Sequence, residues 1–250
     1  MGIFSSHNNS IKTFLTAFFS YIIYANSQKN GSIEKIEEIN PKNTIFVFDV
    51  HGVIFKLSVF KIIKEVIKDP SNLWIITMML RPKLCIDLLK SQANGGVAEE
   101  LIFNVGKNKP HLAWFIPKAF KLINAQVPIN STIKTIQSLK KQGYQLYILS
   151  NMGEKSLNYI QKKYFNIFML FDGIVTATKK DGYIKKPQPE MYQKYLDKFG
   201  HDPKKIVFID DKKQNLIAAE KFGMQTIHFT SSKNLLRKLN KRKAFIHDQF

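Results

Sequence analysis

Cysteine and acidic residues are scarce in this sequence, and it has no long apolar run. The single cysteine, Cys85, excludes an internal disulfide and indicates a reducing compartment, which favours a cytoplasmic protein. The apolar stretch at residues 11–25 is interrupted by Lys12 and by hydroxyl side chains. It is also shorter than the ~20 residues of a spanning helix. Zinc-finger spacing and basic–aromatic RNA motifs are lacking as well, which disfavours a nucleic-acid partner.

Acidic residues are half as numerous as basic ones. The chain contains 38 Lys and Arg against 19 Asp and Glu, a net charge of +19. Such a charge attracts phosphate groups and anionic membrane surfaces. Lysines spread over solvated faces would give the same total, so both interpretations stay open. Hydrophobic residues make up 44% of the chain, which indicates a folded core rather than disorder.

Residues 1–43 precede the region that carries the motifs, and three interpretations of them stay open. The segment is a signal peptide, an interfacial membrane anchor, or a helix that packs on the domain. Residues 1–6 also match the short myristoylation pattern. The expected location is therefore the cytoplasm, with membrane association through this segment or export as the alternatives.

Strand and helix patterns alternate in the second half of the chain. The predicted strands are 45–49, 144–149, 171–176, 205–209 and 225–229, and the predicted helices are 131–142, 154–164, 189–200 and 214–222. Alternation of this kind predicts a doubly wound parallel α/β sheet with right-handed crossovers. The basic stretch 233–243 is predicted to be a solvated terminal helix, with a phosphate or membrane contact as the alternative.

Residues 56–127 have a different pattern. Strand signals are sparse there, and five stretches with helical spacing are separated by breakers such as Asp69-Pro70 and Asn94-Gly95-Gly96. The pattern predicts a helical insertion between the first and second strands of the sheet.

Polar side chains stand where the apolar strands end. Asp49, Ser150 and the pair Asp210-Asp211 each follow such a strand, and Lys185-Lys186 lies in a Gly/Pro loop. Ligands bind outside the carboxyl ends of parallel strands, so these groups are expected to form one site. A carboxylate nucleophile, a hydroxyl donor, a cation and further carboxylates for a metal suit phosphoryl chemistry.

Four phrases in this order resemble the motifs of the haloacid dehalogenase superfamily, whose members are mostly Mg²⁺-dependent phosphatases. They are residues 48–53 (Phe-Asp-Val-His-Gly-Val), 149–151 (Leu-Ser-Asn), 186–192 (Lys-Pro-Gln-Pro-Glu-Met-Tyr) and 208–211 (Phe-Ile-Asp-Asp) with Asn215. The resemblance runs from about Thr44 to Phe229. It implies a Rossmann-like α/β core in residues 44–55 and 128–250, and an all-helical cap in residues 56–127 that closes over the site and contacts the substrate.

The resemblance also implies a role for each residue that handles phosphate. Asp49 is the nucleophile that forms an aspartyl-phosphate. Ser150 donates to a phosphate oxygen, assisted by the backbone N–H groups of Asn151 and of the loop that contains Gly52. Lys186 bridges Asp49 and the phosphoryl group, with Lys185 as the alternative.

For the metal, the resemblance implies a Mg²⁺ site. Its ligands are the carboxylates of Asp49 and Asp211 and the backbone carbonyl of His51, while Asp210 holds a water behind them. Asn215 orients the lysine or the aspartate pair, or caps the following helix.

His51 departs from the family pattern, which reads Asp-x-Asp where this chain reads Asp-x-His. Imidazole can serve both as the acid for the leaving group and as the base for water, and the neighbouring carboxylates are expected to favour its protonated form. The alternative is a weakened activity, with the site kept for binding.

The predicted function is therefore a Mg²⁺-dependent phosphatase for a phosphorylated small molecule or phosphoprotein. One alternative is a silent interaction or membrane-surface module. The other is a 2-haloacid dehalogenase, which also lacks the second aspartate and needs no metal; the doubled carboxylate Asp210-Asp211 argues against it.

Overall fold

The computed structural model describes residues 39–58 and 126–242, together with the helical residues Lys61, Lys64 and Lys107. The chain divides into two compact units, one of residues 1–33 and 59–94 and the other of residues 34–58 and 95–250. Every strand and helix given below belongs to the second unit. Most of the N-terminal extension and of the predicted cap, with Cys85 and His111, lies outside the described residues.

A five-stranded parallel sheet forms the core of the second unit. The described residues contain seven strands, of which five form this sheet and β2 and β3 form a separate pair. In chain order they are β1 (Ile45–Phe48), β2 (Phe55–Leu57), β3 (Gln126–Pro128), β4 (Gln145–Gly153), β5 (Gly173–Ala177), β6 (Ile206–Asp210) and β7 (Gln225–His228). The order in the sheet is β5-β4-β1-β6-β7, and every neighbouring pair is parallel. The predicted α/β core with a parallel sheet is confirmed.

Helices cover both faces of this sheet. They are α1 (Asn130–Lys141), α2 (Glu154–Lys163), α3 (Phe165–Phe168), α4 (Pro189–Phe199), α5 (Lys213–Lys221) and α6 (Ser232–Lys241), with a 3₁₀ turn at Pro203–Lys205. Side chains alternate between the faces of a strand. In β1, Phe46 and Phe48 join the apolar cluster of α1, α2, α3 and α6, whereas Ile45 and Val47 join that of α4 and α5. Burial on both faces explains why the strands read as continuous apolar runs.

The short strands β2 and β3 pair with each other at the two ends of the predicted insertion. They are antiparallel, with Lys56 opposite Val127, and Ile129 N–H donates to the Ile54 carbonyl at 2.9 Å. The chain therefore leaves the core and returns to it through one paired stem. The helical cap itself stays a prediction.

The basic stretch near the C-terminus is helical, as predicted. Helix α6 begins after Ser231, whose Oγ accepts a hydrogen bond from Asn234 N–H at 3.2 Å, and its leucines are buried. Of the helices in the described parts of the chain, none has the length and apolarity that crossing a membrane requires.

Candidate active site

Asp49 lies at the carboxyl end of β1, the central strand of the sheet. Its N–H donates to the carbonyl of Ile209 at 2.9 Å, and its side chain is buried. The neighbouring strands β4 and β6 carry Ser150 and Asp210. Because both strands run parallel to β1, their side chains lie at the same edge of the sheet as Asp49. The sheet thus brings together the polar strand ends, as expected of its topology.

Lys186 connects these strand ends. Its Nζ lies 2.9 Å from Asp49 Oδ1, 2.7 Å from Asp210 Oδ2 and 2.7 Å from the carbonyl of Leu149, and the side chain is buried. Burial alone would lower the pKa of Lys186, but Asp210 and Asp49 outweigh it and raise the pKa above its ordinary value. The lysine is therefore a permanent cation between two carboxylates. Of the two candidate lysines, Lys186 is the one in this position.

The Asn151 side chain holds the backbone of Lys186. Its Nδ2 donates to the Lys186 carbonyl at 2.8 Å, and its Oδ1 accepts from the Lys186 N–H at 2.7 Å. Sequence reasoning assigned only the main-chain N–H of Asn151, to phosphate, and missed this contact. Beside it, Ser150 Oγ is buried and accepts from Met152 N–H at 3.1 Å. Because a hydroxyl both donates and accepts, its proton remains able to reach a phosphate oxygen.

Asp210 is fully buried, and both of its oxygens are engaged. They accept from Lys186 Nζ, from Lys212 N–H at 2.8 Å and from Asn215 Nδ2 at 3.0 Å. Of the alternatives open for Asn215, the geometry shows the orienting one, since its amide contacts the Asp210 carboxylate. The hydroxyl of Tyr192 donates to the Asn215 carbonyl at 2.7 Å and holds this asparagine in turn.

Asp211 completes a cluster of three carboxylates. Asp49, Asp210 and Asp211 can each offer an oxygen within 4.8 Å of the others. Asp211 Oδ1 is buried and makes no hydrogen bond. Burial, with the charges of Asp210 and Asp49, raises the pKa of Asp211 to about 7. The cluster has an excess of negative charge over Lys186, and a buried carboxylate oxygen without a donor fits a Mg²⁺ ion, which prefers oxygen ligands.

Gly52 sits in the turn after β1 and packs on Asp211. Its φ is +87°, and a Cβ at this position would lie 2.6 Å from Asp211 Oδ2. Only glycine therefore fits the turn without displacing the carboxylate. The Gly52 N–H donates to the Phe55 carbonyl at 2.7 Å, so this amide is engaged within the turn. Its predicted phosphate contact stays a prediction.

His51 has an environment that the sequence did not indicate. Its Nδ1 is buried and makes no hydrogen bond. Burial lowers the pKa of His51, the Lys212 charge lowers it further, and hydrogen bonding with Gln126 acts in the opposite direction. The expectation that carboxylates keep this imidazole protonated is therefore wrong, because desolvation and a nearby cation favour the neutral form.

The two remaining histidines of the described residues contact other parts of the fold. His228 on β7 places Nε2 3.1 Å from the Asp211 carbonyl, and His201 Nδ1 is 2.9 Å from the Tyr195 hydroxyl. The contact of His228 links the neighbouring strand to the backbone of the carboxylate pair. No spacing in the sequence connects residues 211 and 228.

A family model described as hydrolase, haloacid dehalogenase-like hydrolase, matches residues 44–223, which is most of the chain. A sesquiterpene phosphatase of Aspergillus oryzae is 32% identical over 97 residues, 39% of this chain and 48% of that protein. An (S)-2-haloacid dehalogenase of Burkholderia cepacia is 31% identical over 101 residues, 40% of this chain and 42% of that protein. The chain spans about half the length of the curated relatives it matches.

Solved structures show the same fold. An L-2-haloacid dehalogenase from Xanthobacter autotrophicus, with chloropropionic acid covalently bound, has a TM-score of 0.53 at 16% identity and covers 81% of this chain and 83% of its own. A family enzyme from Bacteroides thetaiotaomicron, in complex with magnesium and inorganic phosphate, has a TM-score of 0.52 at 21% identity. The match covers 74% of this chain and 92% of that enzyme.

Proposed function

Because this chain belongs to the haloacid dehalogenase-like hydrolases, we propose that it is a Mg²⁺-dependent phosphatase that hydrolyses a phosphate monoester through a phosphorylated Asp49. The observation that carries the proposal is the contact of Asp49 with Lys186 at 2.9 Å beside two further carboxylates. The substrate is a phosphorylated small molecule or a phosphoprotein side chain.

In the first step, an Asp49 oxygen attacks phosphorus, the bond from phosphorus to the ester oxygen breaks, and the leaving oxygen takes a proton from solvent or from the His51 imidazolium left by the previous turnover. Lys186 offsets the repulsion between the carboxylate and the phosphate, and the Ser150 hydroxyl donates to a phosphate oxygen. Burial, offset in part by Lys186, raises the pKa of Asp49. Additional positive charge at the site therefore favours the ionised nucleophile.

In the second step, water attacks phosphorus, and the bond to Asp49 breaks, which releases phosphate and restores the carboxylate. Neutral His51 accepts the proton of that water, and its lowered pKa suits this role. The imidazolium that forms returns its proton to the leaving oxygen of the next substrate or to solvent.

The residues for Mg²⁺ are Asp49, Asp211 and the main-chain carbonyl of His51. Asp210 is committed to Lys186 and Asn215, so it positions the lysine and leaves Asp211 as the carboxylate with a buried oxygen to offer. When bound, Mg²⁺ would neutralise charge between the carboxylates and the phosphate. Replacement of aspartate by His51 spares this ligand set, because the contact uses the main chain.

The test is phosphate release from a panel of phosphorylated metabolites and a phosphotyrosine peptide, with Mg²⁺ and with chelator. We expect turnover only with Mg²⁺ and none in Asp49→Asn. Turnover that persists in Asp49→Asn would remove Asp49 from the mechanism.

A 2-haloacid dehalogenase is the second candidate, favoured by the Asp-x-His reading and by the dehalogenase among the relatives. In that reaction Asp49 displaces halide from carbon, water then hydrolyses the ester, and no metal takes part. Halide release from 2-chloropropionate in chelator, with no phosphate release in the first assay, would favour it. Failure of both assays would leave the silent interaction module.

A further inference from the structure

The two helical layers on the sheet differ strongly in charge. Helices α1, α2 and α6, whose apolar residues pack on one face, hold ten basic side chains and one acidic side chain, a net charge of +9. Helices α4 and α5, on the opposite face, hold four basic and three acidic side chains, a net charge of +1. An even scatter of lysines would not produce this difference, so the excess charge of these helices is a property of one face.

Large apolar side chains are exposed on the same layer. Tyr159 on α2 is 47% exposed, Phe165 on α3 is 61% exposed, and Met169, directly after α3, is 64% exposed. Phe165 and Met169 are four residues apart and project together, whereas Phe168 turns inward and stacks on Phe55 with the ring centroids 5.8 Å apart. Single exposed apolar residues are ordinary on protein surfaces, but here Phe165 and Met169 lie together.

Phe165 and Met169 border a groove of about 320 Å³. Its lining consists of Asn158, Gln161, Lys162, Phe165, Phe168 and Met169. The floor is apolar and the rim is polar and cationic. Lys162 lines the groove, and Lys155 and Lys163 are exposed on the same helix. Apolar side chains that insert, surrounded by lysines, match the layered chemistry of an anionic bilayer surface.

We propose that the layer formed by α1, α2, α3 and α6, termed here the basic face, binds anionic phospholipid surfaces, with Phe165 and Met169 inserting between the headgroups. Each lysine near such a surface raises partitioning roughly fivefold at physiological ionic strength. A nucleic acid would use the lysines but would leave Met169 and the apolar groove in water. The exposed apolar cluster therefore favours lipid over a polyanion without an apolar layer.

The experiment is co-sedimentation of the full chain with vesicles of phosphatidylcholine alone or mixed with phosphatidylserine, at low and high salt. The charge variant is Lys155→Glu/Lys162→Glu, and its control on other surfaces is Lys205→Glu/Lys221→Glu, which changes the net charge equally. The apolar variants are Phe165→Ser and Met169→Ser, and their control is Ile217→Ser on α5, where Ile217 is 56% exposed. Thermal melts of every variant verify folding.

We expect salt-sensitive binding to the mixed vesicles only, reduced roughly tenfold or more by the charge variant and by each apolar variant, with both controls near wild type. Several results would overturn the proposal. Absence of binding would do so. Equal losses in the variants and their controls would also do so, because they would assign binding to the total charge of the protein or to another part of the chain. Loss in the charge variant alone, with an oligonucleotide displacing the vesicles, would indicate a polyanion site. A lowered melting temperature in the apolar variants with unchanged vesicle binding would show that another segment of this chain covers the face.

Discussion

The side chain of Asn151 and the peptide of Lys186 exchange two hydrogen bonds, of 2.8 and 2.7 Å. The lysine that contacts Asp49 and Asp210 is therefore positioned through its own backbone by the strand that carries Ser150. The loop of the third motif and the end of β4 are joined at this point, so a change at Asn151 should act on catalysis through Lys186.

Asn151→Ala should lower kcat by roughly 10- to 100-fold, because each lost hydrogen bond is worth about 1 kcal/mol and the lysine loses its position. Asn158→Ala on the exposed side of α2 is the matched control and should have wild-type kinetics. Phosphatase kinetics with a saturating substrate, with circular dichroism for the fold, measure the effect. An unchanged kcat in Asn151→Ala would show that the loop holds Lys186 without this amide.

Lys186→Met should abolish activity and destabilise the protein by about 3–5 kcal/mol, because it leaves Asp49 and Asp210 buried without their cation. Lys185→Met is the natural control, since the neighbouring lysine makes neither contact, and its unfolding free energy should stay within about 1 kcal/mol of wild type. Urea unfolding monitored by far-ultraviolet circular dichroism distinguishes the two variants. Comparable losses in both would mean that the adjacent lysines share the role.

Asp211 should make the metal-free protein less stable as the pH rises. Its pKa is 3.8 ordinarily and about 7 in the folded state, so the folded protein binds the extra proton between these values. Stability contributed by that proton is present at pH 4 and is lost as the pH rises to about 7, a change on the order of a few kcal/mol. Burial raises the pKa of Asp49 as well, which acts in the same direction.

Mg²⁺ should therefore raise the melting temperature more at pH 8 than at pH 5, because only the ionised cluster offers its oxygens. Asp211→Asn should stabilise the metal-free protein at pH 8 and remove most of the Mg²⁺ effect. Asp172→Asn, which changes a carboxylate paired with Lys140 at a distance from the cluster, controls for charge alone. A Mg²⁺ shift that is equal at both pH values in wild type would contradict the assignment.

His51→Ala should lower the rate by roughly 10²–10⁴-fold. Because burial lowers the pKa of His51, the base form is present at neutral pH. The wild-type rate should accordingly rise with pH only below about 6.5 and then level off, and this limb should vanish in the variant.

His51→Asp is the companion variant, since it restores the family pattern without changing the main-chain carbonyl. Activity equal to or above that of wild type is the expected result. An inert wild type that gains activity through His51→Asp would identify His51 as the mark of a silenced site.

Much of the core followed from the sequence alone. Strands buried on both faces are continuously apolar, so β1, β6 and the first half of β4 were recognisable from composition, and alternation with helices implied a parallel sheet. The parallel order then required Asp49, Ser150 and Asp210 to meet at one edge. These inferences rest on local pattern and on topology, which are both properties of the chain order.

Other features depended on distances that no spacing encodes. The resemblance favoured Lys186 and kept Lys185 as the alternative, and only the folded loop shows Lys186 in contact with Asp49. The neutral state of His51 results from burial and from Lys212, and the engagement of both Asp210 oxygens leaves Asp211 as the carboxylate with a buried oxygen to offer. Likewise, a net charge of +19 is known from composition, but its concentration on one layer of helices exists only after the sheet has sorted the helices to its two faces. Composition and order determined what groups the protein has and which fold they form, whereas tertiary packing decided their neighbours, and electrostatic energies depend on neighbours.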